Sequence, residues 1–512
     1  MKTSIIINLK HSFFLILFVS FLINTEAKSD TNLRFKTYIE SADLNNKLNL
    51  QQYNKLKLFY FQNNYTLKWY ARTTDSSKRN ELKHLIENAA LFALNQSDFH
   101  HSFLALNTTS HNIEDTFAAE VRFTDAALSF MHNLAYGGNE GFVKFNGINY
   151  HPDNLDLASI LAAALMKDNL IIHLTTVEPT GEKFNFLKQE YLRLLMLSKE
   201  KDFKEITVTS KDVKKSNINL AGKLRQLAYL AEADTTEKGL QAALYSLQKH
   251  HLLIPQKSIN SLCLAVLNET IAHKLQELRW NIKWYRWLNG MKDKSYLVVN
   301  IPSNTLTYYE NGMTKLESKM VVGKLSTPTP TLTSEIKNVI YYPYWNVPHS
   351  IAVKEMLPKL KRNPGYLYNQ KIEVLRNGRV VTGINWHSFS SSNFPFQLRQ
   401  KTGCHNALGL LKFDFENPFH VYLHDTNAKT AFYSSKRFFS HGCMRVEKPY
   451  ELAVALGVPA GKLDMKSCLQ NKRPETIPLL KPVPLFVIYA TIDVTDGQLY
   501  WYEDAYRKIA AK

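Results

Sequence analysis

The sequence predicts an α+β protein built of several parts: a helical N-terminal half, a small helical module, and a mainly-β C-terminal domain carrying a long insertion. Three observations lead there. From Thr31 to about Leu220 the apolar residues recur at helical spacing, as in Leu82-Leu85-Ile86-Ala89-Leu91-Leu94 and Leu157-Ile160-Leu161-Ala164-Leu165. After Asn289-Gly290 the period changes to alternation, beginning with Tyr296-Leu297-Val298-Val299-Asn300-Ile301. Between Tyr344 and Leu411 that alternation is broken by Met356-Leu357-Pro358-Lys359-Leu360, Asn363-Pro364-Gly365-Tyr366 and the serine-rich stretch Ser388 to Ser392. Insertions of this length between strands commonly act as lids.

The N-terminus has a weakly basic start from Lys2 to Lys10, an apolar core from Ser12 to Ile23, and a small-x-small site at Thr25-Glu26-Ala27. Residues 1–27 are therefore expected to be a signal peptide and the protein to be exported. Ile5-Ile6-Ile7 lengthens the apolar stretch toward an anchor, so membrane contact is expected only if the segment stays uncleaved. The formal charge of +18 over 512 residues implies attraction to polyanions. Without zinc-ligand spacing, a base-reading module or a phosphate-cradling glycine loop, no nucleic-acid partner is expected.

Residues 28–220 form the expected helical scaffold, in which Tyr60-Phe61 and Trp69-Tyr70 are read as packing residues. In residues 221–275, two short helices flank the connection Ile254-Pro255-Gln256-Lys257. Residues 276–293 follow as a Trp-rich helical linker, where Trp280, Trp284 and Trp287 share one face that is expected to pack against the next domain. Residues 294–470 hold the mainly-β domain, with an Asn311-Gly312 hairpin between its early strands, the insertion over 344–411, and a helix from Tyr450 stopped by Gly457. Residues 471–512 add a strand, Leu485 to Ala490, and an aromatic tail after the Asp496-Gly497 turn.

The chemistry concentrates in Ser440-His441-Gly442-Cys443-Met444-Arg445, where a nucleophile, a flexible hinge, an imidazole and a fixed positive charge fall within six residues. A thiol serves acyl chemistry when a base or positive field raises its thiolate fraction, and a neighbouring glycine lets a substrate backbone approach. Upstream, Phe419-His420-Val421-Tyr422-Leu423-His424-Asp425-Thr426 alternates as a strand, placing His420, Tyr422 and His424 on one face. If that face looks at the cysteine, His424 can take the thiol proton and return it to a leaving amine. A papain-like arrangement is disfavoured, since His424 precedes Cys443 and both lie in strand patterns. Of the other cysteines, Cys263 reads as core. Cys404 can pair with Cys468 structurally or with Cys443 at the expense of the nucleophile.

Strand-His-Asp-Thr followed by Ser-His-Gly-Cys-Met-Arg-Val resembles the signature of the L,D-transpeptidase (YkuD-type) catalytic domain. Met320-Val321-Val322-Gly323-Lys324, Tyr342-Pro343-Tyr344-Trp345-Asn346-Val347-Pro348, Arg399-Gln400-Lys401 and Asn406-Ala407-Leu408-Gly409 look like the large periplasmic murein enzymes of that family. The resemblance implies peptidoglycan stem peptides as substrate, a thioester on Cys443 resolved by a second stem's amine, no metal or organic cofactor, and a periplasmic location. Contact with cell-wall synthesis proteins is also implied. In this reading His424 is base and then acid, and backbone N–H groups around Gly442 and Cys443 hold the oxyanion. His441 tunes the site, Tyr422 lies beside the base, and Trp345 lies near the cleft. Arg445 either holds the anionic stem or satisfies loop carbonyls. The insertion resembles the family's capping subdomain, residues 28–220 its scaffold domain, and residues 221–275 a degenerate peptidoglycan-binding module that either binds glycan or serves as a spacer. The alternatives are an L,D-carboxypeptidase or cross-link-cleaving enzyme at the same site, or a non-catalytic wall-binding scaffold.

Overall fold

The computed structural model describes residues 30–70, 76–106, 112–138, 143–152, 154–209, 218–466 and 472–509. The expected signal peptide and Cys468 lie outside these. The chain divides into two units, one from residues up to 139 with 152–204 and 285–290, the other from 140–151, 205–284 and 291–512.

The first unit is helical and organised on Ile113–Tyr136, whose start is capped by the Asn112 side chain accepting from Glu114 N–H and whose end is Gly137 in the left-handed region. Apolar residues lie nearly all round this helix, so it is the centre of the core rather than a surface element. Its two buried carboxylates anchor irregular backbone. Glu120 accepts from the N–H groups of Lys68, Trp69 and Tyr70 and from the Tyr60 hydroxyl. Asp125 accepts from Gln51 and Gln52 N–H and contacts His100 at 2.8 Å. Tyr60 and Trp69 are fully buried as packing residues, whereas Phe61 is 68% exposed. The helically spaced pattern from Leu82 to Leu94 spans two pieces. Ser76–Glu87 ends at Asn88, and a 3-10 turn, Ala89–Phe92, is stopped by Ala93 in the left-handed region.

In the second unit, helices Ile218–Gln226, Glu237–His250 and Ser261–Leu267 form the small module and lead into Ile271–Leu288. Within this unit the Trp280 indole donates to the Tyr489 carbonyl, and the Asn281 side chain bonds Thr491 and Ile492.

The main sheet holds β1 (Phe145–Asn146), β2 (Tyr296–Asn300), β3 (Thr305–Glu310), β4 (Met313–Gly323), β5 (Leu332–Tyr341), β10 (Leu411–Phe415), β11 (Leu423–His424), β12 (Phe438–Ser440), β13 (Met444–Val446) and β14 (Glu475–Ile488). Neighbours run β5-β10-β11-β13-β4-β3-β2-β14, and β14 also pairs with β5, so the ring closes and leaves no free edge on that path. Asn311 and Gly312 both take positive φ, as a tight hairpin between β3 and β4 requires. β1 comes from the range expected to be wholly helical scaffold; it pairs with β5. β14 begins ten residues before the expected Leu485, because Pro478, Pro482 and Pro484 hide a strand whose ladder shifts register between Pro478 and Val483.

The insertion has its own sheet, β6 (Trp345–Asn346), β7 (Ile372–Arg376), β8 (Arg379–Val380) and β9 (Gln397–Gln400), in the order β6-β9-β7-β8. A separate core of Val347, Met356, Leu360, Trp386, Phe396 and Leu398 holds it together. The tail forms a hairpin, β15 (Ile492–Thr495) and β16 (Gln498–Trp501), and then lays Tyr506 on the sheet, its hydroxyl donating to the Gly323 carbonyl.

Candidate active site

The site is set by strand register. β11 runs parallel to β13 with His424 opposite Arg445, and antiparallel to β10 with His424 opposite Lys412. Directly opposed residues share a face, as do residues two apart, so Lys412, Tyr422, His424, Cys443 and Arg445 project from one side of the sheet.

The strand carrying His424 is shorter than its sequence suggests. His420 is not part of that face; it lies exposed in a turn at φ 53°. The cause is Asn417, whose side chain accepts from Phe419 and Val421 N–H and donates to the Val421 carbonyl, taking the groups a ladder would need.

His424 is 3% exposed, and its Nδ1 bonds the Asp425 carbonyl. A carbonyl only accepts, so Nδ1 carries the proton and Nε2 keeps the basic lone pair. Burial, then the cations of Arg445 and Lys412, drop this imidazole to about 3, so it is neutral at ordinary pH. Asp425 fixes that backbone: its carboxylate accepts from Leu410 and Thr426 N–H and pairs with Lys429.

Burial pushes the Cys443 thiol up, opposed by a backbone hydrogen bond from Tyr422 and by the charges of Arg445 and Lys412. The resting pair is therefore thiol and neutral imidazole rather than thiolate and imidazolium. Among the described residues no hydrogen bond joins the two side chains; such contacts often tighten only around substrate.

The turn bearing Cys443 is tied at almost every polar group. The Ser440 hydroxyl donates to the Cys443 carbonyl at 2.6 Å and accepts from Gly442 N–H at 3.1 Å. Thr329 donates to the Gly442 carbonyl, while Lys324 N–H and the Thr327 hydroxyl donate to the Ser440 carbonyl. Gly442 sits at φ +107°, where its Cβ would meet nothing closer than 3.4 Å; backbone conformation rather than space requires glycine. Because its N–H is already donated to Ser440, Gly442 does not supply the expected oxyanion donor. The Cys443 N–H, which makes no hydrogen bond among the described residues, remains.

The half-buried Arg445 side chain makes no hydrogen bond or ion pair among the described residues, so it does not satisfy loop carbonyls. An unpaired guanidinium on the nucleophile's face is a ready anion site. Tyr422 lies in the field of Cys443, with the Lys412 ammonium 4.3 Å from its ring centre. His441 turns to the cap, its Nε2 2.6 Å from Glu355 of the π-helical turn Ala352–Met356. Trp345 packs partly buried against the cap core. Cys404 is disulfide-bonded whereas Cys443 and Cys263 are free, which removes the Cys404–Cys443 pairing. No group of His, Cys, Asp and Glu suited to a metal occurs among the described residues. Lys412 and Glu355 were not singled out in the sequence, and Ser440 was named in the central motif without a role. The alternation Leu411-Lys412-Phe413-Asp414 marks Lys412 as facing away from the core, but only register puts it beside His424.

Residues 294–461 match the YkuD family, described as the L,D-transpeptidase catalytic domain, and residues 54–190 match the scaffold domain. The mainly-β C-terminal domain therefore matches the YkuD-type L,D-transpeptidase catalytic domain over most of its length. The helical N-terminal region matches the scaffold domain. A Haemophilus influenzae protein described as a candidate L,D-transpeptidase is 33% identical over 256 residues, 49% of this chain and 52% of that protein, so the chain spans about half of that relative's length. Among solved structures, the Ldtfm–avibactam carbamoyl enzyme is 15% identical over 39% of this chain and 50% of that one, at a TM-score of 0.20. A cysteine-to-serine mutant of Enterococcus faecium L,D-transpeptidase is 12% identical over 39% and 51%, at 0.18. At those scores neither bears on this chain.

Proposed function

We propose that the protein is an exported L,D-transpeptidase that cross-links peptidoglycan stem peptides through a thioester on Cys443. The observation that carries the reading is the parallel β11–β13 register, which sets His424, with its free Nε2, on the same sheet face as the thiol. The Cys443 sulfur attacks the carbonyl carbon before a terminal D-residue while its proton passes to His424 Nε2. The developing oxyanion is met by the Cys443 N–H, and Arg445 and Lys412 hold nearby negative charge. The carbon–nitrogen bond breaks, His424 protonates the leaving amine, and a thioester remains. The side-chain amine of a second stem attacks that thioester, forms the new amide and returns the sulfur with its proton. The basic surface and the leader pattern of residues 1–27 support a wall-facing location.

The test is intact-mass and product analysis of wild type and Cys443→Ala with disaccharide-tetrapeptides. A transient acyl adduct and a cross-linked dimer lacking one terminal D-residue, both absent in the variant, are expected. Tripeptide alone would assign the site to carboxypeptidase chemistry, and product formation by Cys443→Ala would overturn the assignment.

A further inference from the structure

The cap is far more basic than the chain around it. Residues 344–401, roughly a ninth of the chain, hold nine Lys and Arg against two Glu, a net +7 of the total +18. Both acids are occupied: Glu373 pairs with Arg399 at 2.9 Å and with Lys401 at 3.5 Å, and Glu355 lies against His441. Lys359, Lys361, Arg362, Lys371, Arg376 and Arg379 form no ion pair among the described residues; Lys361 and Lys371 are half-buried and the other four exposed.

Two details separate this from an ordinary solvated surface. Arg376 and Arg379 are directly opposed across the β7–β8 hairpin, where like charges destabilise pairing and no carboxylate relieves them. The ammonium groups of Lys359 and Lys371 lie over the rings of Tyr366 and Tyr368 at 5.3 and 5.2 Å, which holds them at the surface; Tyr368 is itself 78% exposed. Helix Leu357–Arg362 and helix Tyr366–Asn369 pack together and the latter packs on β7, so these cations belong to one body. That body touches His441, two residues from Cys443.

We propose that the cap is a docking surface for the carboxylate-bearing peptide strands of the wall polymer, holding them beside the nucleophile. The proposal rests on the function proposed above and names what recruits its substrate. Arginine forks suit carboxylates, and the surplus charge has no partner within the cap, so an anionic strand supplies what the fold leaves out. The acyl donor and acceptor are both stems of such a strand, so a cap that holds it serves either half-reaction.

The experiment measures binding of soluble, fluorescently labelled peptidoglycan strands by anisotropy, using the full chain with Cys443→Ala so that turnover plays no part. Lys361→Gln, Arg362→Gln, Arg376→Gln and Arg379→Gln combined should weaken binding about tenfold or more at about 0.15 M salt and flatten its salt dependence. The same number of neutralisations at Lys47, Lys167, Lys199 and Lys201 of the first unit should change it less than about twofold. Strands whose stem carboxylates are amidated should bind the unaltered cap as weakly as intact strands bind the neutralised one. Thermal unfolding midpoints matching the parent keep loss of fold out of the comparison. Equal weakening by the two variants, or undiminished binding after cap neutralisation, overturns the proposal. So does tighter cap-dependent binding of a single-stranded oligonucleotide or of anionic phospholipid vesicles. Because binding is read without chemistry, failure of the transpeptidase reading shows itself separately, as absent acyl adduct in the wild type.

Discussion

Protonating His424 should cost the protein both stability and acylation, and at a pH well below that of an ordinary histidine. Its imidazole falls from 6.5 to about 3, through burial first and the Arg445 cation second. A lowered folded value means the unfolded chain binds the proton first, so this group's contribution is intact above 6.5 and is lost progressively as pH falls toward 3. At about 1.4 kcal/mol per unit, the loss is about 2 kcal/mol by about pH 5 and of order 5 kcal/mol by about pH 3. Wild type should therefore lose about 2 kcal/mol more than His424→Gln between about pH 8 and pH 5, read from urea midpoints of the catalytic unit. Single-turnover acylation of Cys443 should stay level from about pH 8 down to about pH 4, because the base is already neutral and the thiol still protonated over that range. Arg445→Met, by removing the cation with the larger influence, should move the acid limb to higher pH. An inflection near 6.5 in the wild type, or a thiolate absorbance in the resting enzyme near neutral pH, would falsify the neutral-pair mechanism.

The same cations lower the thiol as well: Arg445→Met should raise the pH at which iodoacetamide alkylates Cys443, and Lys412→Met should raise it less, matching their order of influence. An unchanged alkylation pH in both variants would remove Lys412 and Arg445 from the site's electrostatics, and equal or reversed shifts would overturn their order of influence. Ser440→Ala deletes one donor and one acceptor in the nucleophile turn; it should cost about 1–3 kcal/mol and slow acylation more than alkylation, and an unchanged acylation rate would mean the turn holds without it. In the first unit, Glu120→Gln turns an amide toward backbone N–H groups that need an acceptor, so that unit should lose about 2–4 kcal/mol with Cys443 alkylation unaltered. A thermal transition within a degree of wild type would show that those N–H groups find other partners.

Local pattern carried a good deal of this protein. Apolar spacing of 3.6 and of 2 separates the helical region from the mainly-β domain because burial of one face leaves its period in the chain, and Asn311-Gly312 and Gly457 state their turns through φ alone. The cluster around Cys443 can be read along the chain because thiol, glycine and arginine fall within four residues. The misreadings have physical causes that sequence does not display. His420 fits the alternation, but the Asn417 side chain takes the backbone groups of Phe419 and Val421 on either side of it; β14 runs through three prolines because a register shift accommodates them.

What the sequence could not decide was which groups meet. His424 and Lys412 lie twelve residues apart and His424 and Arg445 twenty-one, yet register makes the three neighbours, and from that follow the neutral imidazole, the raised thiol and the unpaired guanidinium. The Glu355–His441 contact and the surplus of positive charge left on the cap arise in the same way, from which carboxylates folding spends on which cations. Periodicity is a property of a segment and can be read along the chain. A charge's environment is a property of the space around it, and only the closed ring of strands and the cap beside it define that space.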